Sequence, residues 1–195
     1  MGCGASADWK LVDASRRGVV GSMNEAFEAG ADPNAKDEWG NTALITAARS
    51  GKVEACALLI EKKAEVDFLN KENLTPLYLA AQKHHVEVVK LLLEAGAHAD
   101  IYDSIRETPL FYAAHDGQLE LCQVLVEKGA KVANESKEST PLHRAVICGQ
   151  LEVVKFLVEK AADPNVKDYK GRTALEAATE FKREDVVEYL SAKGA

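Results

Sequence analysis

Thr75-Pro76-Leu77-Tyr78-Leu79-Ala80-Ala81, followed closely by Val86-Glu87-Val88-Val89-Lys90-Leu91-Leu92-Leu93-Glu94-Ala95-Gly96-Ala97, reads as two short antiparallel helices. The Thr75 hydroxyl suits an N-cap because it can accept from an unpaired amide, and Pro76 at the first helical position loses only a donor that had no partner. In the second segment Glu87, Lys90 and Glu94 fall on one narrow stripe of an otherwise aliphatic cylinder, so this helix is covered on two sides. Gly96 ends it, since glycine takes the left-handed cap conformation without steric cost.

A helix pair this short cannot bury so much aliphatic surface alone and needs neighbours of the same shape. The chain supplies them. Thr42-Ala43-Leu44, Thr75-Pro76-Leu77, Thr108-Pro109-Leu110, Thr140-Pro141-Leu142 and Thr173-Ala174-Leu175 recur at intervals of 33, 33, 32 and 33 residues. The helix ends keep step with them: Gly30-Ala31-Asp32, Lys63-Ala64-Glu65, Gly96-Ala97-His98, Gly129-Ala130-Lys131, Ala161-Ala162-Asp163 and Gly194-Ala195.

The period, the Thr-Pro-Leu-x-x-Ala starts and the Gly-Ala-Asp-x-Asn ends together resemble the ankyrin repeat, over nearly everything after residue 8. The resemblance implies an all-α solenoid of about six stacked helix-turn-helix units with β-hairpin-like finger loops. One continuous domain is expected over 8–195: an N-terminal capping unit at 8–39, four full repeats over 40–172 and a C-terminal capping repeat at 173–195, after a flexible segment at 1–7. Polar residues such as Lys10, Arg16 and Arg17 in the first unit, and Glu176, Lys182 and Arg183 in the last, fit ends that keep one face in water.

Composition narrows the function classes. The apolar runs are far too short to cross a bilayer, and no apolar secretory signal opens the chain. The four cysteines lack the spacing of a disulfide frame or zinc site, which points to a reducing compartment. A net charge of −7 argues against a general nucleic-acid binder, because phosphate contacts need a basic surface. Met1-Gly2-Cys3-Gly4-Ala5-Ser6 resembles the start of dually acylated proteins, with Gly2 for a myristoyl chain and Cys3 for the second anchor that a single chain requires. That implies a cytoplasmic protein at the inner face of the plasma membrane; the alternative is an ordinary small-residue tail.

Finger tips are expected near Asp37–Asn41, Asn70–Leu74, Asp103–Glu107, Ser136–Ser139 and Asp168–Arg172. Gly40 and Gly171 fit the turn position, where Asn73 and Arg106 replace glycine; the fourth finger is one residue short, so its hairpin should be distorted. His84 stands where Gly51, Gly117 and Gly149 stand. Cys56 and Cys122 read as core residues in second helices, and Cys148 as a more exposed residue of an inter-helix turn. His85 and His143 read as structural hydrogen-bonders, and His98 and His115 as isolated. No metal site, cofactor motif or matched nucleophile, base and orienter is present in the sequence pattern, so an enzyme is not expected.

Periodic residues are occupied in packing, so recognition must lie at the irregular ones. On the family's pattern these are Trp39, Asn41, Arg49, Lys71, Leu74, Lys83, Ile105, Tyr112, His115, Tyr169 and Arg172. Large apolar side chains on loops commonly anchor interfaces, although such rings also pack on adjacent fingers. The reading is a monomeric, non-catalytic scaffold that binds a partner protein on its finger and inner-helix surface, tethered by N-terminal lipid. The alternative is a soluble assembly chaperone or inhibitor that masks a partner's surface.

Overall fold

The computed structural model describes residues 6–133 and 139–194. Gly2, Cys3 and most of the short fourth finger lie outside them. The chain divides into two compact units at His98/Ala99. The first contains α1 (Ala7–Arg17), α2 (Val20–Glu28), α3 (Ala43–Arg49), α4 (Val53–Glu61), α5 (Pro76–Gln82) and α6 (Val86–Glu94). The second contains α7 (Pro109–His115), α8 (Leu119–Glu127), α9 (Pro141–Cys148), α10 (Leu151–Glu159), α11 (Ala174–Glu180) and α12 (Glu184–Ala192).

Within each unit the helices form antiparallel pairs stacked in series. In the first, α3 packs between α1 and α5, and α4 between α2 and α6; in the second, α9 packs between α7 and α11, and α10 between α8 and α12. The repeated threonines start five of these pairs. Thr42, Thr75, Thr108, Thr140 and Thr173 each accept a hydrogen bond from the amide three residues on, at 3.1–3.3 Å. Thr173 adds the reciprocal bond, its own amide donating to Glu176 Oε2 at 2.8 Å.

The leucine after the first four of these caps faces inward: Leu44, Leu77, Leu110 and Leu142 are buried, whereas Leu175 of the last repeat is half-buried; Leu59, Leu92, Leu125, Leu157 and Leu190 of the second helices are buried too. Each such side chain contributes about 1.5–3 kcal/mol by leaving water, and it does so only because a neighbouring repeat covers it. Cys56 and Cys122 are fully buried in the same stripe, and burial pushes both thiols up to about 12, which keeps them protonated and unreactive.

Six helix ends turn through a left-handed residue. Gly30, Gly96, Gly129 and Gly194 do so at no steric cost, whereas Lys63 (φ 67°) and Ala161 (φ 65°) take the same conformation with a Cβ. The turn inside each pair repeats the device, with His84 (φ 60°) and Lys182 (φ 55°) where Gly18, Gly51, Gly117 and Gly149 stand elsewhere.

Candidate functional site

The four described fingers share one local construction. An Asp or Asn opens each, and its Oδ1 accepts the amides two and four residues on: Asp37 from Trp39 and Asn41, Asn70 from Glu72 and Leu74, Asp103 from Ile105 and Glu107, Asp168 from Lys170 and Arg172, all at 2.8–3.0 Å. The backbone closes the same turn, as in the bond from the Asp37 amide to the Asn41 carbonyl at 3.0 Å. The residue near each tip is left-handed, including Arg106 at φ 67°, so the finger holds its shape there without glycine. A rigid turn of this kind fixes which side chains point outward.

Of the residues singled out in the sequence, Trp39, Tyr169 and Ile105 are the exposed apolar ones, at 64 %, 63 % and 53 %. The residue just before the helix-capping threonine behaves differently. Asn41 is buried, its Nδ2 donating to Asp37 Oδ2 at 3.0 Å and its Oδ1 accepting from Asn70 Nδ2 at 2.9 Å. Arg172 is held by Asp168 Oδ2 at 2.6 and 2.9 Å and by Glu180 Oε2 at 2.6 Å. Leu74, at the same position in the second finger, is half-buried. Asn41 thus ties one finger to the next, and Arg172 ties its finger to Glu180 of α11. Burial alone would raise the Asp168 carboxyl, but the Arg172 guanidinium and the amides of Arg172 and Lys170 outweigh it and hold the group below the usual carboxylate range.

Most of the residues singled out line one groove in the first unit and two hollows in the second, whereas Ile105 lines none of these. In the first unit Trp39, Arg49, Lys71 and Lys83, with the buried Asn41 and Thr46 behind them, line a groove of about 540 Å³ between fingers and first helices. In the second unit Tyr112 and His115 border a smaller hollow of about 130 Å³ with Glu107, Phe111 and Arg144, while Tyr169 and Arg172 border another of about 160 Å³ that Arg144 also reaches. Arg144 did not stand out in the sequence. Its Nη2 lies 3.1 Å from Glu107 Oε1 and its guanidinium 4.7 Å from the Phe111 ring centre. The available signal was its place in Thr140-Pro141-Leu142-His143-Arg144-Ala145, at the variable position before the repeated alanine.

The histidines divide by role. His143 is buried, donates from Nε2 to the Arg172 carbonyl at 3.1 Å, and accepts at Nδ1 from the Thr140 hydroxyl at 3.0 Å, so its neutral form fits the site; burial lowers its pKa. His85 donates from Nε2 to the Arg49 carbonyl at 3.2 Å. His98 and His115 are not isolated: Asp67 pairs with the His98 ring and raises its pKa, and His115 Nδ1 lies 2.5 Å from Asp116 Oδ1. Cys148 closes α9 instead of lying in the following turn, is half-buried, and has its thiol raised by that burial. Among the described residues no group of three His, Cys, Asp or Glu side chains is placed to hold a metal ion, and no helix is long and apolar enough to cross a membrane.

Models of ankyrin repeats match the sequence over residues 11–103, 97–168 and 149–190, nearly the whole described chain. The chain belongs to the ankyrin-repeat family. No curated protein matches it at significant similarity. Ankyrin repeats generally serve as protein-interaction modules, and proteins built from them are typically binding scaffolds without enzymatic activity. The stacked pairs and finger turns of this ankyrin-repeat protein are the means by which such a module holds irregular side chains in fixed places.

Proposed function

We propose that this ankyrin-repeat protein is a scaffold that holds a segment of a partner protein in the groove of its first unit, and that acyl chains on Gly2 and Cys3 keep the complex at the inner face of the plasma membrane. The observation that carries the binding site is the convergence of Trp39, Arg49, Lys71 and Lys83 on one groove, although they come from two fingers and two helices. Trp39 is the anchor: a large aromatic side chain left mostly in water by the free protein, on a turn whose backbone is fixed by Asp37, gains most from being covered. The tether rests on the N-terminal sequence pattern alone.

Crosslinking and mass spectrometry of the protein from its native cell test both parts. Crosslinks from Lys71 and Lys83 to one partner, lost in Trp39→Ala, are the expected result. Partner recovery unchanged by Trp39→Ala would reject the groove, and an unchanged membrane fraction in Gly2→Ala would reject the tether.

A further inference from the structure

We infer that the groove of the first unit selects an acidic peptide segment carrying a bulky apolar side chain; the inference rests on that groove being the partner-binding site. Its inner wall is a row of cations at the ends of successive first helices: Arg16 near the end of α1, Arg49 at the end of α3 and Lys83 just after α5. Cations are favoured at helix C-termini by the helix dipole. The fold does not demand them here, however. The corresponding positions of the second unit carry His115 and Asp116, Ile147 and Cys148, and Glu180 and Phe181.

The internal balance leaves these cations open to a partner. Among the described residues neither Arg49 nor Lys83 forms an ion pair, and Lys71 Nζ donates to the Glu38 backbone carbonyl at 2.7 Å, which leaves its charge uncompensated. Arg16 shares Asp13 with Arg17, at 2.7 and 2.8 Å. The Asp37 carboxylate, which also lines the groove, is taken up by the Trp39 and Asn41 amides and the Asn41 side chain. A chain whose net charge is −7 thus presents a groove with a basic inner wall.

The other wall sets the shape of the ligand. Glu38 and Glu72 are exposed on the fingers, with Lys71 beside them, so carboxylates as well as cations line the groove. An extended peptide can space its carboxylates to meet Arg49 and Lys83 while avoiding Glu38 and Glu72, which a uniformly anionic surface such as a membrane cannot do. The peptide's apolar side chain then lies on the exposed Trp39 ring. Opposite charge at the inner wall sets register and hastens encounter, and the aromatic contact slows release.

The test is selection of random linear peptides displayed on phage against the intact protein, with the Arg49→Glu/Lys83→Glu double variant and Trp39→Ala as comparators and circular dichroism to confirm that both fold. Enriched peptides are expected to carry net negative charge around an apolar residue. They should bind the double variant about tenfold more weakly or worse, and weaken as salt rises. Enrichment of neutral or basic peptides, or equal binding to the double variant, overturns the inference while leaving a peptide groove in place. Failure to enrich any peptide that needs Trp39 rejects the groove itself. Sedimentation with phosphatidylserine vesicles completes the set: vesicle binding abolished by the same charge reversal would assign the cations to lipid headgroups and overturn the peptide reading.

Discussion

The carbonyl of Arg172 accepts a hydrogen bond from Nε2 of His143 at 3.1 Å, although the two residues are 29 positions apart. The imidazole therefore ties the base of the last described finger to the first helix of the preceding repeat, and it does so as a neutral ring.

That geometry predicts a pH response with a definite sign. Burial holds folded His143 below its ordinary value of 6.5, so the unfolded chain binds this proton first. Its contribution to stability is complete above pH 6.5 and is lost as pH falls through that value toward the folded pKa. His98 acts oppositely: its hydrogen bond to the Asp67 carboxylate raises its folded pKa, so its contribution is complete below 6.5 and lost as pH rises through the folded value. NMR titration should place the His98 transition above 6.5 and the His143 transition below it; the reverse order would contradict both environments.

The Asn70–Asn41–Asp37 chain of side-chain bonds links two fingers of the first unit. Asn70→Asp keeps the oxygen that caps its own turn and replaces the donor facing Asn41 Oδ1 with an acceptor. A loss of about 1–3 kcal/mol in urea unfolding is expected, the usual cost of a buried polar atom left unpaired. An unchanged midpoint would show that the fingers stand independently.

Lys63 and Ala161 occupy left-handed positions that glycine fills at the other repeat ends. An L-residue there costs about 1–2 kcal/mol, and glycine returns about 0.4–1 kcal/mol of that through the freer unfolded chain. Lys63→Gly and Ala161→Gly should each stabilise the protein by up to about 1 kcal/mol, read as a higher thermal midpoint. A lower midpoint in both would refute the strain.

Trp39→Ala is expected to change folding stability by no more than about 0.5 kcal/mol, because the ring is 64 % exposed. Chemical denaturation checks this directly. A loss of several kcal/mol would mean that the ring serves the stack and not a partner.

The helix starts were legible because a threonine cap followed by proline or alanine and then leucine is a local signal, and each of the five is present in the structure. The register of Arg106 pointed to a left-handed turn while its Cβ argued against one, and the structure shows the turn at φ 67°. Asn41 and Arg172 stand on fingers in sequence, and only the fold shows that the position before the cap turns inward, onto Asn70 in one case and Asp168 and Glu180 in the other. His98 looked isolated because its partner, Asp67, lies 31 positions earlier, beyond the reach of any local pattern. Arg144 escaped for a related reason: its partner Glu107 is 37 positions away.

These ties between repeats have a consequence for biosynthesis. Asp8 to Asp32, Asn34 to Glu65, His143 to Arg172, Arg49 to His85 and Glu107 to Arg144 span 24 to 37 positions, about one repeat each. A nascent chain leaving the ribosome can close each of them as soon as the next repeat has emerged. Maturation can then advance vectorially behind the translating ribosome, with low contact order and little apolar surface exposed at any moment.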